Sequence, residues 1–355
     1  MSQINLLDLI CEKVKNLKAY QVETVDEGIK LHANENPYPP SLELKSLILA
    51  HLENLDLNRY PDPDCKSLKE AISNRLGVST EQLVIGNGSD ELIQHLMQVF
   101  CDDGDTVAFP EPTFAMYSIL AKGMGLNTQT FELDNKWDFE AKSIMQKLTA
   151  SHARIVFISY PNNPTGNCFS RVEIQKLIEI FEGIVVLDEA YYDFSGQTFI
   201  DQMSDHNNLV ILRSLSKIGL AGLRVGYGIF PRVLVNEINK IRLPYNSNSV
   251  TQIAATELLN NFSLVQKQID SIKKERIRLL KELTKIKSIN TYQSDSNFIL
   301  FQANENGEKV FRNLMENGIL IRNLGSHPML KNCLRVTIGT EAENDQFLNQ
   351  LKKAI

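Results

Sequence analysis

The segment SLSKIGLAGLR, Ser214 to Arg224, sets Lys217 among two hydroxyls, Ser214 and Ser216, and seven residues before Arg224. A primary amine in that company suits one kind of chemistry. It can hold an aldehyde as a Schiff base while its neighbours grip a phosphate. Once an incoming amine displaces it, the same nitrogen can serve as base and acid, carrying a proton from one carbon to another. Alone, a serine-x-serine-lysine string means little. Two upstream motifs, PNNPTG at 161–166 and VVLDEAYYDF at 185–194, lift it above chance.

Together the three motifs supply the polar contacts that pyridoxal phosphate requires. Asp188 ends the apolar run IVVLD, a costly place for a carboxylate without a partner. The protonated pyridine nitrogen of the cofactor would be that partner. Tyr191 and Asn163 are the donors expected at its phenolic oxygen, although PNNPTG also places Asn163 in a turn before Pro164. The phosphate needs several donors and a fixed cation. GNGSDELI at 86–93 offers a glycine turn entering a helix N-terminus, whose amides point at an anion. Gly88, Ser89 and Asp90 are therefore expected to bind through the backbone, with Ser214, Ser216 and Arg224 completing the cup. Phe114, in PEPTFAMY, is the candidate to stack on the ring. The six histidines show no metal-ligand spacing, so no metal site is expected.

These residues need strand ends and helix starts to hold them. From about residue 64 to 230 helical and strand patterns alternate. Lys66–Leu76 reads as a helix, Gln82–Ile85 as a short strand, and Asp90–Cys101 as a helix that Asp90 would cap. Apolar runs follow at 106–109, 154–160, 184–189, 209–213 and 225–229. They predict an α/β fold with a mainly parallel sheet covered on both faces. Ligands of such sheets bind at the carboxyl ends of strands, where the three motifs fall. Beyond Pro244, apolar residues at 262, 265, 269, 272, 279, 283 and 286 predict a long amphipathic helix over about 262–287. A coiled coil is the alternative, but the pattern lasts barely three heptads and Arg276 interrupts it. FILF at 298–301, a helix near 308–317, LIRN at 320–323 and LRVTIG at 334–339 then suggest a small α+β domain. The expected organisation is an N-terminal arm with part of the small domain over 1–45, a large cofactor-binding domain over 46–245, and a small C-terminal domain over 246–355.

Composition narrows the partners. A net charge of -6 argues against an extended nucleic-acid footprint. Five cysteines, widely spaced and never CxxC, read as reduced thiols of a cytoplasmic protein. The first twenty residues read as a short amphipathic helix rather than a signal peptide. No stretch is apolar enough to span a membrane.

On these motifs the chain resembles the fold-type I pyridoxal-phosphate enzymes of the aspartate aminotransferase superfamily, over essentially its whole length. LHANENPY at 31–38, NRYPDP at 58–63, PTFAMY, YPNNPTG, LDEAYYDF, SLSKIGLAGLRVGYG and LRVTIGT at 334–340 are similar, more narrowly, to the histidinol-phosphate aminotransferases. The resemblance implies a large domain with a mostly parallel seven-stranded sheet, a small α+β domain, and a homodimer with shared sites. It implies amino transfer between L-glutamate and imidazole-acetol phosphate, giving 2-oxoglutarate and L-histidinol phosphate. By motif, Tyr60 would reach the phosphate of a cofactor bound across the dimer interface, and Arg335 would grip the substrate's anionic end. Tyr20, Asn34, Asn163 and Arg322 would be further substrate contacts. The chain departs from many relatives in having Phe114 in place of a tyrosine, so a stacking role survives and a hydroxyl contact does not. It also has seven rather than eight residues from lysine to arginine, a spacing that another branch of the family shares. A threonine-phosphate decarboxylase and a broad aromatic aminotransferase would use the same lysine and cofactor contacts. An aminotransferase-like regulator would need a basic helix-turn-helix segment, and the stretch ahead of the first large-domain helix is too acidic for one.

Overall fold

The computed structural model describes residues 6–15, 17, 19 and 28–355. Strands Ile184–Asp188 and Leu209–Ser214 open with uninterrupted apolar runs, residues 184–187 and 209–212, because both of their faces are covered. Val185, Leu187, Leu209 and Ile211 enter one apolar layer, whereas Val186, Val210 and Leu212 enter the layer on the opposite face. The strand period of two is present, but with apolar partners on both sides it leaves no polar alternation.

Seven strands form the large sheet, in the spatial order Leu83–Gly86, Gly226–Ile229, Leu209–Ser214, Ile184–Asp188, Ala153–Ser159, Thr106–Glu111 and Asn127–Glu132. Only Gly226–Ile229 runs against the others. The loops leaving the parallel strands therefore collect at one edge of the sheet, and all three chemical motifs lie on them. A second sheet of four antiparallel strands, in the order Arg322–Asn323, Cys333–Thr337, Phe298–Ala303 and Ile289–Thr291, stands apart from the first. Helix Ser263–Leu283 buries Val265, Ile269, Ile272, Leu279 and Leu283, the stripe expected of it. Arg276, which breaks that stripe, donates to the Ser296 carbonyl at 2.7 Å.

Three local expectations are corrected and one helix is added. The helix after the glycine turn spans Ser89–Phe100 with Gly88 at its N-cap, so Asp90 lies inside the first turn and does not cap it. LIRN is not one strand. Ile319–Leu320 pairs in parallel with Ile29–Lys30, while Arg322–Asn323 joins the four-stranded sheet. The N-terminal amphipathic helix is replaced, among the described residues, by a 3-10 turn at Leu6–Leu9 and a single α-turn at Glu12–Lys15, with Leu6, Leu7 and Leu9 exposed. Helix Ser249–Asn260, capped by the Asn248 side chain on the Thr251 amide, was not anticipated. Cys11, Cys65, Cys101, Cys168 and Cys333 are unpaired thiols. Among the described residues no helix is long and apolar enough to cross a membrane.

Candidate active site

At the carboxyl edge of the large sheet lies a cavity of about 520 Å³. Loops from five parallel strands meet there, contributing Ser89, Phe114, Asn163, Asp188 and Lys217 among its lining. Lys217 follows strand Leu209–Ser214 on a 3-10 turn. Its Nζ lies 3.5 Å from the Ala33 carbonyl and 5.9 Å from the centre of the Tyr191 ring. Among the described lining residues it is the one lysine.

Asp188 forms the buried wall. Its Oδ2 accepts the Tyr117 hydroxyl at 2.9 Å and its Oδ1 accepts the Ala190 amide at 3.2 Å. Burial pushes its carboxyl up to about 6, against the lowering effects of the Tyr117 bond, the Ala190 amide and the nearby Lys217. A carboxylate held in this way gains most from a cation placed against it. Tyr117 is itself buried, and burial beside Asp188 drives its phenol far above the ordinary value, so it stays a donor. An aromatic column fixes it, edge-on to Phe114 at 5.6 Å and stacked on Phe157 at 5.1 Å.

The anion cup is built from close backbone approaches. Gly88 has φ 84°, and a Cβ there would come within 2.7 Å of the Arg224 guanidinium. At Gly226 a Cβ would meet the Ser89 amide at 2.4 Å. At Gly226 the clash is with backbone and only glycine fits, whereas at Gly88 it is the positive φ that favours glycine. Helix Ser89–Phe100 has no side-chain cap, so its first amides remain available to an anion. Arg224 reaches the Ser216 hydroxyl at 3.5 Å and pairs with the Asp90 carboxylate at 3.1 Å. The expected backbone role of Asp90 is thus joined by a side-chain one. Ser214 and Ser216 are buried at the same strand end, where the Ser216 amide donates to the Ser214 hydroxyl.

Above the lysine stand two arginines, Arg322 and Arg335, both on the four-stranded sheet and both lining the cavity. Arg335 is only 9 % exposed. It donates to the Asn163 side-chain oxygen and, at 2.9 Å, to the His32 carbonyl. Asn34 also lines the cavity and donates to the Tyr191 hydroxyl at 2.9 Å. Of the expected site residues, Tyr60 is 80 % exposed and stacked on Tyr245 at 4.5 Å, away from this cavity. Tyr20 lies outside the described residues.

Sequence reasoning missed several supports. Tyr117 lies in the first turn of helix Met116–Met124, just after Phe114, and no local pattern marked it as the partner of Asp188. Asn162 is fully buried and ties the loops together through Thr113, the Pro112 carbonyl and Thr165. Glu189, beside Asp188, forms a buried ion pair with Arg213 of the neighbouring strand at 2.8 Å.

A buried aspartate, an amine and a glycine-lined pocket beside Arg224, gathered at one sheet edge, suit pyridoxal phosphate and the fold-type I architecture built around it. The residues present fit that cofactor, as the buried Asp188 and the glycine cradle under Arg224 show. The pattern of the class I and II aminotransferases matches residues 26–351. Histidinol-phosphate aminotransferase 2 of Nitrosococcus oceani is 41% identical over 355 residues, covering 99% of each chain. Histidinol-phosphate aminotransferase of Thermoanaerobacter pseudethanolicus is 37% identical over 98% of this chain and 99% of its own. The solved histidinol-phosphate aminotransferase of Clostridium acetobutylicum superposes with a TM-score of 0.84 at 28% identity, covering 91% of this chain and 98% of that one. That of Sinorhizobium meliloti, in complex with pyridoxal-5'-phosphate, has a TM-score of 0.89 at 22% identity, covering 97% of both chains, and bears on the fold. The chain belongs to the class I and II aminotransferases, which depend on pyridoxal phosphate, and within them to the histidinol-phosphate aminotransferase family.

Proposed function

We propose that this protein transfers an amino group between L-glutamate and imidazole-acetol phosphate, giving 2-oxoglutarate and L-histidinol phosphate, as a cytoplasmic homodimer. The observation that carries the substrate reading is the pair of arginines, Arg322 and Arg335, in the same cavity as Lys217. Two cations over one amine suit a small amine whose other end is a phosphate or a carboxylate.

Bound pyridoxal phosphate supplies an electron-poor ring that spreads the electron pair left on the substrate carbon when its proton departs. Lys217 would hold that cofactor at rest and would carry the proton at Nζ from the substrate carbon to the cofactor carbon on the far side of the shared nitrogen. Asp188, whose oxygens are aimed by Tyr117 and the Ala190 amide, would keep the pyridine nitrogen protonated. Asn163 and Tyr191 would donate to the cofactor's phenolic oxygen, and Phe114 would stack on its ring. Gly88, Ser89, Asp90, Ser214, Ser216 and Arg224 bind the cofactor phosphate. Arg335 takes the substrate's anionic end, exchanging its contact with Asn163 for the ligand, and Arg322 and Tyr20 assist.

Wild-type protein is expected to turn over L-histidinol phosphate with a kcat/KM at least about tenfold above phenylalanine or threonine phosphate. Arg335→Leu should raise KM for both L-histidinol phosphate and glutamate by about 10²-fold, the loss expected of a charge-assisted contact. Steady-state kinetics decide it. Unchanged constants in the variant would remove Arg335 from the substrate site, and preference for an aromatic amino acid would favour the aromatic rival.

The dimer reading is supported by Tyr60 and its surroundings. Leu57 and Leu243 are 80% and 69% exposed, beside the stacked Tyr60–Tyr245 pair, and Arg242 ties the two segments through the Pro63 carbonyl. Exposed apolar surface of this kind marks an interface, and a two-fold dimer would carry Tyr60 to the site of the other copy. Hybrids of Tyr60→Ala and Lys217→Ala subunits should therefore regain part of the wild-type activity, because one site per hybrid has both residues intact. Confirmed hybrids as inactive as their parents would mean self-contained sites.

A further inference from the structure

Asn34 adopts a left-handed backbone, φ 56°, in a position only 2 % exposed. Its surroundings decide which way its amide points. The Asn34 backbone N–H donates to the Thr337 hydroxyl oxygen at 3.0 Å, so the Thr337 proton must go elsewhere, and it goes to Asn34 Oδ1 at 3.2 Å. With the amide oxygen pinned against Thr337, Nδ2 is left facing Tyr191, where it donates to the hydroxyl at 2.9 Å. The Asn34 carbonyl is held in turn by Asn297 Nδ2 at 3.0 Å. A phenolic proton lies near the ring plane, which leaves it two directions. One is already filled by the Asn34 N–H.

We infer that Asn34 is a positioning residue, which fixes the Tyr191 hydroxyl proton in the direction of the cavity so that Tyr191 donates to the phenolic oxygen of the cofactor. This rests on the cofactor assignment above but not on the identity of the substrate. Thr337 and Asn297 belong to paired strand ends of the small sheet, where Phe298 is in register with Thr337. Tyr191 follows strand Ile184–Asp188 of the large sheet. Asn34 therefore carries the position of one sheet to a single proton on the other. A direct substrate contact by its side chain is not needed to explain its burial or its backbone.

The test is the pH titration of the absorbance of the lysine-bound cofactor in the holoenzyme. Asn34→Gly suits the left-handed backbone, and Thr337→Val leaves Asn34 in place while releasing its amide. Each should raise the titration midpoint by about half to one pH unit, part of the roughly one to two units that a hydrogen bond to an ionised oxygen is worth, because the Tyr191 hydroxyl itself remains. In a Tyr191→Phe background the same changes should leave the midpoint where Tyr191→Phe alone puts it. A shift of equal size in both backgrounds, or no shift from either variant with Tyr191 intact, overturns the inference alone. The absence of any lysine-bound absorbance in the wild type overturns the cofactor assignment and the inference with it.

Discussion

Lys217→Ala is expected to lower turnover by at least about 10⁴-fold, the upper end of what a positioned proton carrier contributes, because the same nitrogen also holds the cofactor. Among the described residues lining the cavity there is no second lysine to replace it. The loss should be one of chemistry and not of fold. Lys217 is only half-buried, its Nζ contact at 3.5 Å is long, and the 3-10 turn that carries it buries Ser216 and Ile218. The anion cup and Asp188 remain, so the variant should still bind pyridoxal phosphate, now without the absorbance of the lysine-bound form. Small primary amines added to the variant should restore part of the proton transfer. Turnover within tenfold of wild type would remove Lys217 from the mechanism.

Asp188→Asn should act in opposite directions on catalysis and on stability. For catalysis, the amide cannot pair with a protonated pyridine nitrogen. Leaving one member of a buried charge pair alone costs about 3–5 kcal/mol, equivalent to a fall in turnover of roughly 10²–10⁴-fold. For the cofactor-free protein, burial raises the Asp188 carboxyl from 3.8 to about 6. Above pH 6 the side chain is ionised in both the folded and unfolded states, and the folded state bears the whole cost of the buried charge. Between pH 6 and 4 the folded state holds more protons than the unfolded one, so this cost disappears as pH falls. Replacing the carboxylate by an amide should therefore stabilise the cofactor-free protein by up to about 3 kcal/mol at pH 7.5, less whatever the Tyr117 and Ala190 bonds lose, with the gain fading as pH falls from about 6 to about 4. Thermal melts across that range read it directly. A variant less stable than wild type at pH 7.5 and unchanged at pH 4 would show that Asp188 is satisfied without a cation.

The motifs that could be read from sequence were those in which a costly residue stands at a strand end. Asp188 after IVVL and Lys217 after a run of buried apolar residues announce their need of partners locally. The long helix was equally legible, because five buried apolar positions along Ser263–Leu283 keep one stripe. What escaped was set by distant chain. Ile319–Leu320 leaves the strand that LIRN suggested because its partner is Ile29–Lys30, far away in sequence. Thr337, Asn297 and Asn34 meet only once two sheets are in place, so no local pattern could bring them together. Asp90 was misread as a cap because Gly88 looks like the end of a turn. The positive φ of Gly88 in fact makes it the cap, and Arg224 draws the Asp90 side chain aside.

The most direct measurement is to add L-histidinol phosphate to the holoenzyme, with no keto acid present, and to follow the cofactor's absorbance. An amino transfer that begins at Lys217 and uses this substrate must convert the lysine-bound form into pyridoxamine phosphate in a single turnover, and 2-oxoglutarate must then restore it. An unchanged spectrum at saturating L-histidinol phosphate would contradict the assignment of this substrate to this site.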